Sequence, residues 1–296
     1  MSKVLMKGNE AFGEAAIRAG CKCYFGYPIT PQNEVPEYMS HELPKAGGAF
    51  VQAESELAAV NMAYGAAAAG GRVFISTSSP GLALMQEGLG FICSTEVPIV
   101  ALNVSRGGPG VGGIQPGQAD YFQATRGGYN GDAKIPVFAP SGIQECVDMI
   151  YESFDIAEKY RNPVLILADG MIGQMMEPVT FDFAVKQPPE KPWAVTGTQM
   201  KREHNIVNSL YLKPEELEQI NFERFDKYKV VEENETVAVE NFDNEWQTIS
   251  TVSDEMPEII DDNYDKIKAK GTISQNDEQY CYLLKMCLLF IYMKIN

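Results

Sequence analysis

Two carboxylates, Glu54 and Glu56, flank Ser55 at the start of a run of very small residues that ends at Gly70-Gly71. The run from Leu57 to Ala69 is rich in alanine and reads as a helix against which another backbone can pack closely. Acids at its mouth lie where the helix dipole favours negative charge, and capping alone would account for them. Three further stretches give the pair a chemical setting. They are Gly26-Tyr27-Pro28-Ile29-Thr30-Pro31, Thr77-Ser78-Ser79-Pro80-Gly81 and Asn103-Val104-Ser105-Arg106-Gly107-Gly108-Pro109-Gly110.

These residues need a scaffold, and the chain alternates short apolar strands with helices of roughly 12–16 residues. Gly8 to Ala19 predicts a helix ended by Gly20, and Cys23 to Tyr27 a strand that runs into the Pro28–Pro31 turn. Gln32 to Leu43 predicts a helix, Ala49 to Gln52 a strand, and the small-residue helix follows. Arg72 to Ser76 then reads as a strand, Thr77 to Gly81 as a turn of small polar residues, and Leu82 to Thr95 as a helix. Further strands are expected over Ile99 to Val104, from Val137, and over Pro163 to Ala168, with a long helix from Ile143 to Tyr160. The pattern predicts an α/β fold: a mostly parallel sheet with helices on both faces. Residues 107–119 interrupt it with glycine dense enough to mark a mobile or ligand-wrapping loop.

Composition excludes several classes of function. A formal net charge of −16 argues against nucleic acid, since nothing neutralises phosphates over a broad face. The glycines form neither the dinucleotide-binding signature, G-x-G-x-x-G after a strand with a later acid, nor a Walker sequence. The cysteines at 21, 23, 93, 146, 281 and 287 form no C-x-x-C pair and no iron–sulfur cluster motif, so plain reduced thiols are expected. The first residues lack the long apolar core of a signal peptide, and the apolar stretch from Tyr280 to Met293 is short and interrupted by Lys285. A cytoplasmic protein without a membrane span is expected.

In order and spacing, the motif set resembles the alpha subunit of the 2-oxoacid:ferredoxin oxidoreductases, with the nearest likeness to the 3-methyl-2-oxobutanoate and 2-oxoglutarate types. The likeness runs over roughly residues 1–237 and is most specific over 1–180. It implies a pyrimidine-binding domain for thiamine diphosphate, in which Glu56 holds the aminopyrimidine ring of the cofactor. A glutamic acid suits that task because its carboxyl can share a proton with a ring nitrogen. The resemblance places Thr30 and Arg106 on the substrate carboxylate, and Ser78, Ser79 and Gly81 on the pocket floor near the pyrimidine.

The resemblance also says what this chain lacks. Magnesium-bound diphosphate requires a G-D-G motif followed by an Asn, and only Gly131-Asp132-Ala133 comes near it. No metal site is therefore expected here. Mg²⁺ belongs to a beta-type thiamine diphosphate subunit, and iron–sulfur clusters to other partners such as gamma and ferredoxin-like subunits. The implied reaction is CoA-dependent oxidative decarboxylation of a 2-oxoacid, with ferredoxin or flavodoxin as acceptor. Phe25, Ile29 and Met85 lean toward a branched-chain substrate. The expected layout is a pyrimidine-binding domain over 1–185, a connector over 186–237 and an atypical tail over 238–296. That tail takes the place of the family's usual second α/β domain. Residues 231–262 hold 11 Asp and Glu and no Lys or Arg, a composition that predicts a loosely ordered segment. Two rival readings follow from these departures: a non-catalytic remnant or binding partner, or a subunit of another thiamine diphosphate enzyme of the indolepyruvate type.

Overall fold

A computed structural model describes residues 3–115, 117–126, 128–197, 201 and 203–235 of the chain. The tail expected over 238–296 lies outside them, as do Cys281 and Cys287. Six strands form one parallel sheet: β2 (Cys23–Gly26), β3 (Ala49–Gln52), β4 (Val73–Thr77), β5 (Val100–Ser105), β6 (Val137–Phe138) and β7 (Val164–Asp169). Their order across the sheet is β3-β2-β4-β5-β7-β6. Phe25 pairs with Val51 on one side and Ile75 on the other, and Thr77 pairs with Asn103. β4, β5 and β7 are buried along their whole length, so they read as unbroken apolar runs rather than as alternating patterns.

Successive residues of each strand feed opposite cores. Phe74, Val100, Leu102, Val104 and Ile166 face α1 (Gly8–Arg18), α2 (Glu34–Glu42) and α6 (Ile143–Tyr160). Val73, Ile75, Ala101, Leu165 and Leu167 face α3 (Glu56–Ala68) and α4 (Pro80–Ser94). Helices therefore cover both faces of a parallel sheet, as the alternation of elements predicts. Phe25 and Met85, expected near a substrate pocket, belong to the second of these cores.

The chain leaves β2 toward β3 over one face and returns from β3 to β4 over the other. The strand order thus reverses between β2 and β4. In open α/β sheets, ligands settle at such a switch, outside the carboxyl ends of the strands. The segments after β2 (27–33), β3 (53–55), β4 (78–79) and β5 (106–120) all emerge along that edge.

Two helix starts differ from expectation by two residues, for physical reasons. α2 starts at Glu34, not Gln32, because the Gln32 side chain is fully buried. Its amide donates to the Tyr27 carbonyl and its oxygen accepts from Ser76 Oγ at 2.6 Å. α4 takes in Pro80 and Gly81, since proline is at home in the first turn of a helix, where its missing N–H has no partner to lose. An antiparallel pair outside the main sheet, β1 (Val4–Lys7) with β8 (Met176–Val179), had no counterpart in the sequence reading. The same holds for two short helices, α5 (Tyr121–Thr125) and α7 (Gly170–Gln174).

The compact unit that carries the sheet runs to Leu217. Its segment after β8 is bound to the amino end of the sheet: the Lys186 N–H donates to Arg18 O, and the Val195 N–H to Ala68 O. The remainder of α8 (Pro214–Glu235), from Glu218 to its end, falls in a second unit. Among the described residues no helix is long and apolar enough to cross a membrane, and none forms a cluster of three or more His, Cys, Asp or Glu able to hold a metal ion.

Candidate active site

Glu56 is the first residue of α3, and the Ser55 hydroxyl caps that helix by accepting the Ala58 N–H at 3.2 Å. The cap fixes Ser55 in extended backbone and turns the chain so that Glu56 points inward, with 5% of its surface exposed, while Glu54 stays outside. No donor among the described residues hydrogen-bonds the Glu56 carboxylate. Its neighbour is the start of α4: a Cβ on Gly81 would stand 2.6 Å from Glu56 Oε1 and 2.0 Å from Thr77 Oγ1. Only glycine lets the turn after β4 lie this close to the acid. Thr77 Oγ1 and Ser78 Oγ, both buried in that turn, have no hydrogen-bond partner.

Thr30 and Arg106 meet at the ends of β2 and β5. Arg106 is 9% exposed; its NH1 donates to the Thr30 carbonyl at 3.0 Å and its NH2 to the Val111 carbonyl in the glycine-rich loop at 3.1 Å. Its Nε has no partner, and no carboxylate among the described residues pairs with it. The Thr30 hydroxyl lies 3.5 Å from Asn33 Nδ2. The loop closes on itself beneath Arg106, where the Gly113 N–H donates to Gly107 O at 2.9 Å and the Gly107 N–H to Gln115 O at 3.3 Å. The Gln115 side chain is exposed.

Ser79 ties the two groups together. Its hydroxyl accepts the Arg106 N–H at 2.9 Å, and its own N–H donates to Asn103 Oδ1 at 2.8 Å. The six residues singled out from sequence, Thr30, Glu56, Ser78, Ser79, Gly81 and Arg106, therefore share one edge of the sheet and adjoining turns. Three participants were not among them. Thr77 lies against Glu56 through Gly81, Asn103 is fully buried behind Ser79, and Asp120 accepts from both Ser79 Oγ and Asn103 Nδ2. Asn103 and Thr77 are polar residues at the ends of otherwise apolar strands, which is a readable signal. Asp120 gives none.

The donor set suits an aminopyrimidine. A buried carboxyl is paired with hydroxyls that lack partners, and the glycine wall leaves room beside them. The fold and this edge define an α/β domain with a buried guanidinium and a buried acid at a topological switch point. Residues 14–245 match the family described as pyruvate flavodoxin/ferredoxin oxidoreductase, thiamine diphosphate-binding. The chain belongs to that family of oxidoreductase subunits. It is 49% identical over 236 residues to the ketoisovalerate oxidoreductase subunit VorB of Methanothermobacter marburgensis, covering 79% of this chain and 67% of that one. It is 42% identical over 200 residues to the 2-oxoglutarate synthase subunit KorA of Methanocaldococcus jannaschii, covering 65% of this chain and 54% of the relative. Among solved structures, the 2-oxoglutarate:ferredoxin oxidoreductase from Magnetococcus marinus, with 2-oxoglutarate, coenzyme A and succinyl-CoA bound, superposes with a TM-score of 0.71. It is 31% identical, with coverage of 79% of this chain and 46% of that one. The chain thus spans about two-thirds of the first relative and about half of the other two.

Proposed function

We propose that this chain supplies the pyrimidine side of a 2-oxoacid:ferredoxin oxidoreductase, through a domain over 1–185 followed by a connector over 186–237. The assembled enzyme would carry out CoA-dependent oxidative decarboxylation of a 2-oxoacid in the cytoplasm. A beta-type subunit would bring the Mg²⁺-held diphosphate. Gamma and ferredoxin-like subunits would carry iron–sulfur clusters, with ferredoxin or flavodoxin as the electron acceptor.

Thiamine diphosphate, when bound, would supply the carbon acid and the electron sink that decarboxylation of a 2-oxoacid requires. The residues of this chain do the rest of the work on their side. Glu56 shares a proton with the pyrimidine ring nitrogen, which favours the tautomer able to act as internal base. The Thr77 and Ser78 hydroxyls offer donors and acceptors to the same ring, and Gly81 keeps the wall flat. Arg106 holds the substrate carboxylate with two parallel hydrogen bonds, and the Thr30 hydroxyl assists it.

The observation that carries this reading is Arg106. A guanidinium almost out of solvent, touching only two carbonyls and keeping Nε free, is a charge waiting for an anion. A branched-chain oxoacid is favoured over a dicarboxylate, since the 49% identity to the ketoisovalerate subunit exceeds the 42% to the 2-oxoglutarate subunit. The experiment is reconstitution with the diphosphate-binding partner, thiamine diphosphate, Mg²⁺ and CoA. Dye reduction should then depend on both chains and run faster with 3-methyl-2-oxobutanoate than with 2-oxoglutarate. Turnover by this chain alone would refute the division of the site.

A further inference from the structure

Asp120 is a carboxylate on the same edge, and neither the pyrimidine side nor the carboxylate grip described above uses it. Its backbone is left-handed (φ 65°, ψ 6°), a conformation that a non-glycine side chain adopts at a cost in free energy. It stands at the start of the short helix α5 but caps nothing there. Its Oδ2 reaches across the edge, where it accepts the Ser79 hydroxyl at 2.5 Å and the Asn103 amide at 2.9 Å.

The two side chains it joins are themselves linked, since Asn103 Oδ1 accepts the Ser79 N–H. The result is a closed ring of three hydrogen bonds among Ser79, Asn103 and Asp120. Ser79 is strained as well, with φ 21° and ψ −81°. Its backbone shape swings the chain from β4 into α4 and so delivers Gly81 against Glu56. With the Ser79 hydroxyl committed as a donor to Asp120, its lone pair is turned to the Arg106 N–H at 2.9 Å. The loop strand that carries Asp120 is stitched down next to it: the Gly117 carbonyl accepts the Ser105 hydroxyl, and Gln118 Nε2 donates to Asp169 Oδ2 at 3.2 Å.

We infer that Asp120 is a positioning residue: through Ser79 it fixes the spacing between the Arg106 grip and the turn that walls Glu56. The glycine-rich loop wraps the edge, and its far end sets the geometry beneath it. The inference rests on the roles proposed above for Glu56 and Arg106. It gives an ordinary-looking loop aspartate control over how substrate and cofactor sides are registered. A displacement of about 1 Å between such groups costs roughly 100-fold in rate.

The test uses the complex reconstituted with its diphosphate-binding partner. Asp120→Ala should lower kcat/KM for the 2-oxoacid by about 10- to 100-fold, the loss expected when a hydrogen bond to a charged group is removed. Both a raised KM and a lowered kcat should contribute. Asp120→Asn keeps an acceptor oxygen for the Ser79 hydroxyl and should recover most of the loss. Ser79→Ala removes the bridge while sparing Asp120 and should reproduce the Asp120→Ala phenotype even if that variant folds poorly. An Asp120→Ala enzyme within twofold of the parent overturns the inference. So does a lowered melting midpoint in both Asp120 variants with the KM of the folded fraction unchanged, because that is the signature of a purely structural role. Glu56→Gln and Arg106→Lys are measured alongside. If they impair turnover while Asp120→Ala does not, only the role of Asp120 falls; if none of the three acts, the reading of the whole edge falls with it.

Discussion

Arg72 and Arg106 are both buried arginines, set at opposite ends of neighbouring strands. Arg72 precedes β4 at the amino edge of the sheet, and all three of its nitrogens are engaged. Nε and NH2 donate to Glu158 at 2.9 and 2.6 Å, NH2 also to Asp155 at 2.5 Å, and NH1 to the Ala19 carbonyl. Lys191 and Lys186 join the same carboxylates at 2.7 and 2.5 Å and pin the segment after β8 to α6. Burial alone would lower the Arg72 pKa, but its bonds to Glu158 and Asp155 outweigh that and hold it above its ordinary value. Arg106 follows β5 at the carboxyl edge and has no carboxylate among the described residues. Nearby, Thr77 Oγ1 and Ser78 Oγ also go unpartnered. Arg72 is completed by the chain itself, whereas Arg106 keeps its Nε without a partner. An unpaired buried polar group costs about 1–3 kcal/mol, so Arg106 Nε and the Thr77 and Ser78 hydroxyls are groups that an incoming ligand would satisfy.

The largest effect should come from the carboxyl edge. Glu56→Gln keeps the volume of the side chain but not its proton, and should lower turnover of the reconstituted enzyme by about 10²- to 10⁴-fold. The melting midpoint should hold, because no hydrogen bond to the carboxylate is lost. A variant with full activity would remove Glu56 from the chemistry.

Gly81→Ala is the case in which the two kinds of effect mix. The new methyl would collide with Thr77 Oγ1 and Glu56 Oε1, and overpacking of this kind costs about 1–3 kcal/mol. Thermal unfolding should register that cost, and the affinity for thiamine diphosphate should drop with it. Unchanged cofactor affinity in a destabilised variant would show that the wall at Gly81 serves packing alone.

The amino edge gives the smallest effect and one that depends on pH. Burial would raise the Asp155 carboxyl, but its hydrogen bonds from Lys186 and Arg72 prevail and hold it below the usual carboxylate range. A depressed folded pKa adds stability above the unfolded value of about 4, and that stability fades as pH falls through the folded value. Because the Asp155 side chain is half exposed, the contribution should stay below about 1 kcal/mol. Melting curves from pH 7 to pH 3 should fall less steeply for Asp155→Asn than for the parent. Parallel curves would mean that this ion pair adds nothing.

The central strands were legible in the sequence because burial on both faces makes them unbroken apolar runs flanked by glycine and proline. The Glu56 helix was legible because alanine and glycine crowd into it directly after a short strand. The β1–β8 pair was not: Val4 pairs with Val179, far along the chain, and Pro178 sits inside the second strand. α8 did carry a start signal in Lys213-Pro214-Glu215-Glu216, but its apolar residues show no helical stripe to extend it. Asp120 was invisible for a different reason. Its partners, Ser79 and Asn103, lie 41 and 17 residues away, and it meets them only through a left-handed turn at the end of a glycine-rich loop.

The most direct test of the division between the edges is the same substitution made at both. Arg106→Lys and Arg72→Lys each keep the charge and lose the planar fork. In the reconstituted complex, KM for the 2-oxoacid and the melting midpoint are measured together. Arg106→Lys should raise KM by about 10- to 100-fold and leave the melting midpoint near the parent's, as expected when a two-point grip on a carboxylate is lost. Arg72→Lys should lower the melting midpoint and leave KM alone. An unchanged KM in Arg106→Lys, or equal shifts of KM in the two variants, would contradict the account.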